Sequence, residues 1–259
     1  MPGAPDLAAT LAERRKEHRL LIPYLMAGAD DGWLDTIEAV IEAGADAVEV
    51  GLPFSDPIID GPTIEAAGIR SLERGTTAHG VLSELATRTW AAPLVVMTYY
   101  NVIAHLGHER FTGLAAEAGV SGTIIPDLSL EEIGPYAESA DANGVATVML
   151  VAPSTSPKRT AAICARSRGF VYAVARMGVT GERSQIGGEA DSVVSKISAV
   201  TDLPVCVGIG VSTPEQAAHV TSVADGVVVG SALVRRLSEG AGPEGAADFV
   251  GSLRRAIDA

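Results

Sequence analysis

The sequence predicts an α/β fold. Residues 1–259 read as one domain, a closed (β/α)8 TIM barrel with an extra N-terminal helix and a short helix after the eighth strand. Three observations predict it. Eight short apolar runs, rich in Val and Ile, recur along the chain, each bounded by turn residues. Helical patterns lie between them, which points to a parallel sheet with helical crossovers. Eight such units in about 250 residues match the size of a closed barrel. A doubly wound open sheet is the alternative. It usually carries a Gly-rich first turn, and "AGADDG" after the first run is no dinucleotide fingerprint.

The elements follow in order. Before residue 20, Leu7, Leu11 and Arg15 fall at helical spacing, a helix placed to cap the barrel bottom. The expected strands are "LLIPYLMA" (20–27), "DAVEVGL" (46–52), "PLVVMTY" (93–99) and "GTIIPD" (122–127), then "ATVMLVA" (146–152), "GFVYAVA" (169–175), "PVCVGIG" (204–210) and "GVVVGSA" (226–232). Continuous apolar runs suit strands buried on both faces. In "DDGWLDTIEAVIEAGA", Trp33, Ile37, Val40 and Ile41 share a face, and Gly44 ends the helix. "HERFTGLAAEAGV" ends the same way at Gly119. Residues 63–90 are long enough for two helices split near Gly75. Ser129 reads as an N-cap with Glu131 and Glu132 at the positive helix end. Thr213 reads as another N-cap, with Pro214 at the first helical position.

Composition narrows the function. Apolar residues make up 47% of the chain, and the net charge is −13. That charge argues against nucleic acid, whose phosphates need clustered Lys and Arg. It also disfavours an anionic membrane surface. Cys164 and Cys206 read as small buried apolar residues rather than a disulfide framework. The opening residues contain no apolar segment of the kind a signal peptide needs, and no run approaches the roughly 18 residues of a membrane span. A cytoplasmic protein is expected.

Two carboxylates carry the chemistry. Side chains alternate along a strand, so Val48, Val50 and Leu52 face the helices while Ala47, Glu49 and Gly51 face the barrel interior. Glu49 then lies near the strand's C-terminal end, where barrel active sites lie. A buried carboxylate protonates more readily, which suits proton exchange near neutral pH. The small residues Ala47 and Gly51 leave room for a ligand. The competing possibility is a Glu held by an Arg or by backbone donors. Asp60 and Asp56 are equally compatible with ordinary turn chemistry. The stiff loop "PFSDPIIDGPT" on the catalytic face favours an ionised Asp60 that accepts from a substrate N–H.

Gly208 and Gly210 after the seventh strand allow close backbone approach, unless they only make tight turns. Gly230 and Ser231 open a short helix after the eighth strand. Loops at these positions form the usual phosphate site of the fold. "RMGVTGERS" (176–184), with Gly178, Thr180 and Gly181, reads as a lid with a further phosphate donor. Lys16, Lys158 and Lys196 are the lysines, and none lies in an expected strand, which disfavours a Schiff base. His105 and His108 read as a solvated loop, and His18, His79 and His219 as helix-surface residues, so no metal site is expected. A phosphosugar isomerase would need a second interior acid/base residue.

The segments "EVGLPFSDPIIDGPTI", "MTYYN", "IIPDL", "LVAPSTSP", "GFVYAVARMGVTG", "VGIGVSTPEQ" and "DGVVVGSALV" resemble the tryptophan synthase α chain family along nearly the whole chain. The resemblance implies a lyase that cleaves indole-3-glycerol phosphate by retro-aldol, without a cofactor. It implies Glu49 as general acid/base and Asp60 as the carboxylate on the indole N–H. It implies Tyr24 and Tyr99 near the substrate, Tyr24 by the indole pocket, and Tyr172 at the substrate beside the catalytic Glu. It implies Gly181, Gly210, Gly230 and Ser231 as phosphate contacts, with Thr180 of the lid also at the substrate. The implied partner is a pyridoxal-phosphate β subunit, with Asp56 and the loop after the third strand in docking regions. A stand-alone lyase releasing free indole is the alternative. The sequence departs from the family at Val102 after Asn101, at "AGADDG", which has no Pro, and at Ser129, where Pro is usual.

Overall fold

The structure, a computed structural model, describes residues 4–174, 189–208 and 210–259. In chain order the elements begin α1 (Leu7–Arg14), β1 (Leu20–Met26), α2 (Trp33–Glu42), β2 (Val48–Gly51), α3 (Pro62–Glu73), α4 (Ala78–Leu85) and β3 (Leu94–Met97). They continue with α5 (Tyr100–Leu106), α6 (His108–Glu117), β4 (Val120–Ile124), α7 (Gly134–Ala142), β5 (Ala146–Val151), α8 (Pro157–Arg166) and β6 (Val171–Val174). The last are α9 (Glu189–Ser198), β7 (Val205–Gly208), α10 (Pro214–Thr221), β8 (Gly226–Val229), α11 (Ser231–Ser238) and α12 (Gly242–Ile257). The strands close in sequence order, all parallel, with β8 paired back to β1. No helix among the described residues is long and apolar enough to cross a membrane.

Alternation splits the core in two, as a two-residue side-chain period requires. Leu21, Leu25, Val48, Val50 and Val96 pack outward against the helices. Leu20, Ile22, Ala47, Val95, Ile124 and Val148 fill the barrel. Leu7 and Leu11 of α1 join this inner cluster, so α1 plugs the lower end. The fit is tight: a Cβ on Gly169 or Gly122 would come within 2.5 or 2.7 Å of Leu7 Cδ2. Just outside the plug, buried Asp46 gathers Arg254 Nη1 (3.1 Å) and His18 Nε2 (2.8 Å), and accepts from the Leu21 N–H (2.8 Å). Arg14 Nη1 donates to the Asp46 carbonyl at 3.0 Å. His18 is therefore a partner in this cluster rather than a bare helix-surface residue.

Helix ends follow the expected chemistry in part. Thr213 caps α10 by accepting from Gln216 N–H, with Pro214 opening the helix. Gly44 and Gly119 follow α2 and α6 with φ of +104° and +75°, and Gly75, at +83°, separates α3 from α4. Ser129 does not cap α7. Its hydroxyl donates to Glu132 in a separate turn, and α7 starts at Gly134–Pro135. The stretch around His105 and His108 is two helices, α5 and α6, not a loop. Residues 125–127 leave the fourth strand, because Pro126 cannot donate to a ladder.

Candidate active site

Glu49 sits on β2 between Tyr24 of β1 and Val95 of β3, in register with both. It is 1% exposed, and its Oε2 has no hydrogen-bond partner among the described residues. Burial, then the nearby Asp60 charge, pushes the carboxyl up to about 8. At neutral pH it therefore holds its proton, unlike an ordinary Glu. No Arg partners Oε2 among the described residues.

Asp60 lies in the loop between β2 and α3, half-buried. Burial raises its carboxyl to about 6, against a hydrogen bond from Tyr99 that lowers it; Glu65 raises it further. Two adjacent acids thus differ in state at pH 7, one protonated and one mostly ionised. Tyr99 holds this loop in place. Its ring stacks on Phe54 at 5.0 Å between centroids, and its hydroxyl accepts the Ile59 N–H at 3.1 Å. Tyr99 precedes α5, whose first N–H points at Asp127: Tyr100 N–H reaches Oδ1 at 2.9 Å. The anchor of the Asp60 loop thus sits where α5 starts.

Two tyrosines close the interior above Glu49. Tyr24 on β1 is buried, and its hydroxyl occupies the place a side chain at Gly51 would take, 2.1 Å from an ideal Cβ. Tyr172 on β6 does the same at Gly208, at 2.0 Å. The space that Gly51 was expected to leave for a ligand is therefore filled by the Tyr24 phenol from the neighbouring strand, and the space at Gly208 by the Tyr172 phenol. Burial raises both phenols well above the usual Tyr range. The charges on Asp60 and Glu49 add to the shift at Tyr24, and Glu49 and Cys206 to that at Tyr172.

Across the mouth, Gly230 stands at the N-terminus of α11, and Ser231 is its first residue. No side chain caps this end. A Cβ on Gly230 would meet the Tyr24 side chain first, at 3.7 Å. The Tyr24 ring thus spans from Gly51 to the α11 terminus. Gly210 has φ of +99°, a left-handed geometry that favours Gly. The profile of the tryptophan synthase alpha chain family matches residues 10–253 of this sequence. The chain belongs to that family.

Its similarity to family members runs end to end. The tryptophan synthase alpha chain of Streptomyces avermitilis is 46% identical over 260 residues, covering 97% of this chain and 94% of the relative. That of Streptomyces coelicolor is 46% identical over 254 residues, covering 96% and 93%. A tryptophan synthase structure from Mycobacterium tuberculosis superposes with a TM-score of 0.91 at 38% identity, covering 99% of each chain.

The structure gathers Glu49, Asp60, Tyr24, Tyr99 and Tyr172 around one mouth, with Gly230 joined to them through Tyr24. Thr180 and Gly181, with the expected lid at 176–184, lie outside the described residues. The sequence reading missed the apolar patch beside Tyr24: Met26, Ile64, Ala67 and Val234. Alternation along β1 marks Met26 as inward-facing. The others come from α3 and α11, whose approach to β1 no local pattern encodes.

Proposed function

We infer that the chain cleaves indole-3-glycerol phosphate to indole and glyceraldehyde 3-phosphate, as the alpha subunit of tryptophan synthase in tryptophan biosynthesis. The observation that carries this reading is Glu49 buried inside the barrel near Asp60, its Oε2 without a partner among the described residues, where burial favours its protonated form. Glu49 gives its proton to C3 of the indole, converting the ring to an indolenine. The resulting carboxylate takes the proton of the side-chain hydroxyl next to the bond that breaks. The C–C bond cleaves, its electrons return to the ring, and the hydroxyl carbon becomes the aldehyde. One group with a pKa near neutrality serves both steps. Asp60 accepts from the ring N–H and stabilises the positive charge that forms there.

Tyr24 and Tyr172 pack against the ring, and Tyr99 holds Asp60 and its loop toward it. The phosphate rests on the N–H groups at Gly210, Gly230 and Ser231, with Thr180 and Gly181 completing its shell. A helix N-terminus supplies several donors and a favourable dipole, which local binding needs against a net charge of −13. The pyridoxal-phosphate β subunit is the proposed partner. The β2–α3 loop presents Asp56 and a 73% exposed Ile58, and α5 lies beside it.

Indole release by wild type and Glu49→Gln, each with and without a β subunit, tests the reading. Activity in wild type, its rise on titrating the β subunit, and its loss in Glu49→Gln are expected. Equal release by both chains removes Glu49 from the chemistry. High activity with no response to the β subunit makes the chain a stand-alone lyase.

A further inference from the structure

Glu49 must carry a negative charge midway through the proposed cycle, yet Oε2 is buried with no hydrogen-bond partner among the described residues. An ionised carboxylate in that position is costly unless a donor meets it. Phenols supply the candidate donors facing the interior at this level. Tyr172 holds its oxygen over Gly208, on β7, and the Glu49 charge acts on it as well. Tyr24 holds its oxygen over Gly51, two residues beyond Glu49 on the same face of the same strand. Tyr24 is also the register partner of Glu49. Asp60 already has Tyr99 as its donor.

We propose that Tyr24 is a positioning residue for Glu49: its hydroxyl donates to the Glu49 carboxylate once that group has given up its proton, and Gly51 is the vacancy that lets the phenol reach it. The proposal rests on the acid/base reading of Glu49 and assigns the step that reading leaves unsupported, the stabilisation of the intermediate carboxylate. The charged and titratable groups facing Tyr24 are Asp60, Glu49, Tyr99 and Tyr172. A donor to the charged form lowers a carboxyl pKa, so removing it moves Glu49 further up.

Infrared difference titration of the full chain isolates Glu49 as the protonated-carboxyl band that Glu49→Gln removes. In Tyr24→Phe its midpoint is expected to rise by about half a pH unit or more, and the matching limb of the kcat/KM profile for indole release to move with it. Gly51→Ala, whose methyl would displace the phenol, is expected to shift the midpoint the same way. An unchanged or lowered midpoint in folded Tyr24→Phe overturns the proposal, as does a shift confined to the band that Asp60→Asn removes. The titration reads the carboxyl without turnover. A catalytic role for Glu49 can therefore fail, through full activity in Glu49→Gln, independently of this result.

Discussion

At the scale of single residues, the account turns on two carboxyls held in different states. Replacing Glu49 by Gln is expected to lower kcat by about 10²–10⁴-fold with the fold intact, read from indole release and circular dichroism. The same group makes stability depend on pH. Glu49 titrates at about 8 when folded against an ordinary 4.5, so between those values the folded chain holds a proton that the unfolded chain has lost. Stability therefore falls as pH rises through that window. Asp60 acts with the same sign between 3.8 and about 6. Urea unfolding at about pH 5 and about pH 8.5 should show a flatter slope in Glu49→Gln, which gains on wild type at the higher pH. An identical slope would mean that Glu49 is not perturbed. The inward aim of Glu49 was legible in the sequence because it needs only the two-residue period of one strand. The filling of Gly51 and Gly208 was not, because Tyr24 and Tyr172 come from adjacent strands and a single run does not encode register.

Among the elements, α11 and α1 have separable duties. The nearest atoms to a methyl at Gly230 would be those of the Tyr24 side chain, at ordinary contact distance, so Gly230→Ala should fold normally. Its KM should nevertheless rise about tenfold if phosphate must approach that backbone, with an unchanged melting temperature. An unchanged KM would move the phosphate elsewhere. Leu7 seals the opposite end of the barrel, far from the acids. Leu7→Ala should cost about 2–5 kcal/mol in urea unfolding with KM unaffected. Elements with their own cap signals, such as Thr213–Pro214 before α10, were legible. The start of α5 was not. Its capping acceptor is Asp127, 27 residues along the chain, and no local residue announces it. Ser129 misled because the cap rule ignores Pro135, which suits the first turn of a later helix.

Over the whole molecule, eight repeated units close a parallel barrel, and that repetition made the architecture readable from sequence. What joins its ends was not readable. Asp46 at the head of β2 meets Arg254 of α12 and His18 beyond α1, a union of residues up to 208 positions apart. Asp46→Asn should strip the partly exposed Arg254 and Arg14 of their buried carboxylate and weaken its hydrogen bond from the Leu21 N–H, destabilising the chain by about 1–3 kcal/mol, measured by urea unfolding. A loss under about 1 kcal/mol would reduce the cluster to surface pairing. The partner question also belongs to this scale, since docking would use the loops that carry Asp60 and its Tyr99 anchor. The most direct single measurement is a crystal structure of Glu49→Gln with indole-3-glycerol phosphate bound. The account predicts phosphate on the amides at Gly230 and Ser231, the ring N–H on Asp60, and C3 facing residue 49. An indole ring seated outside the barrel mouth, or residue 49 turned away from C3, would contradict it.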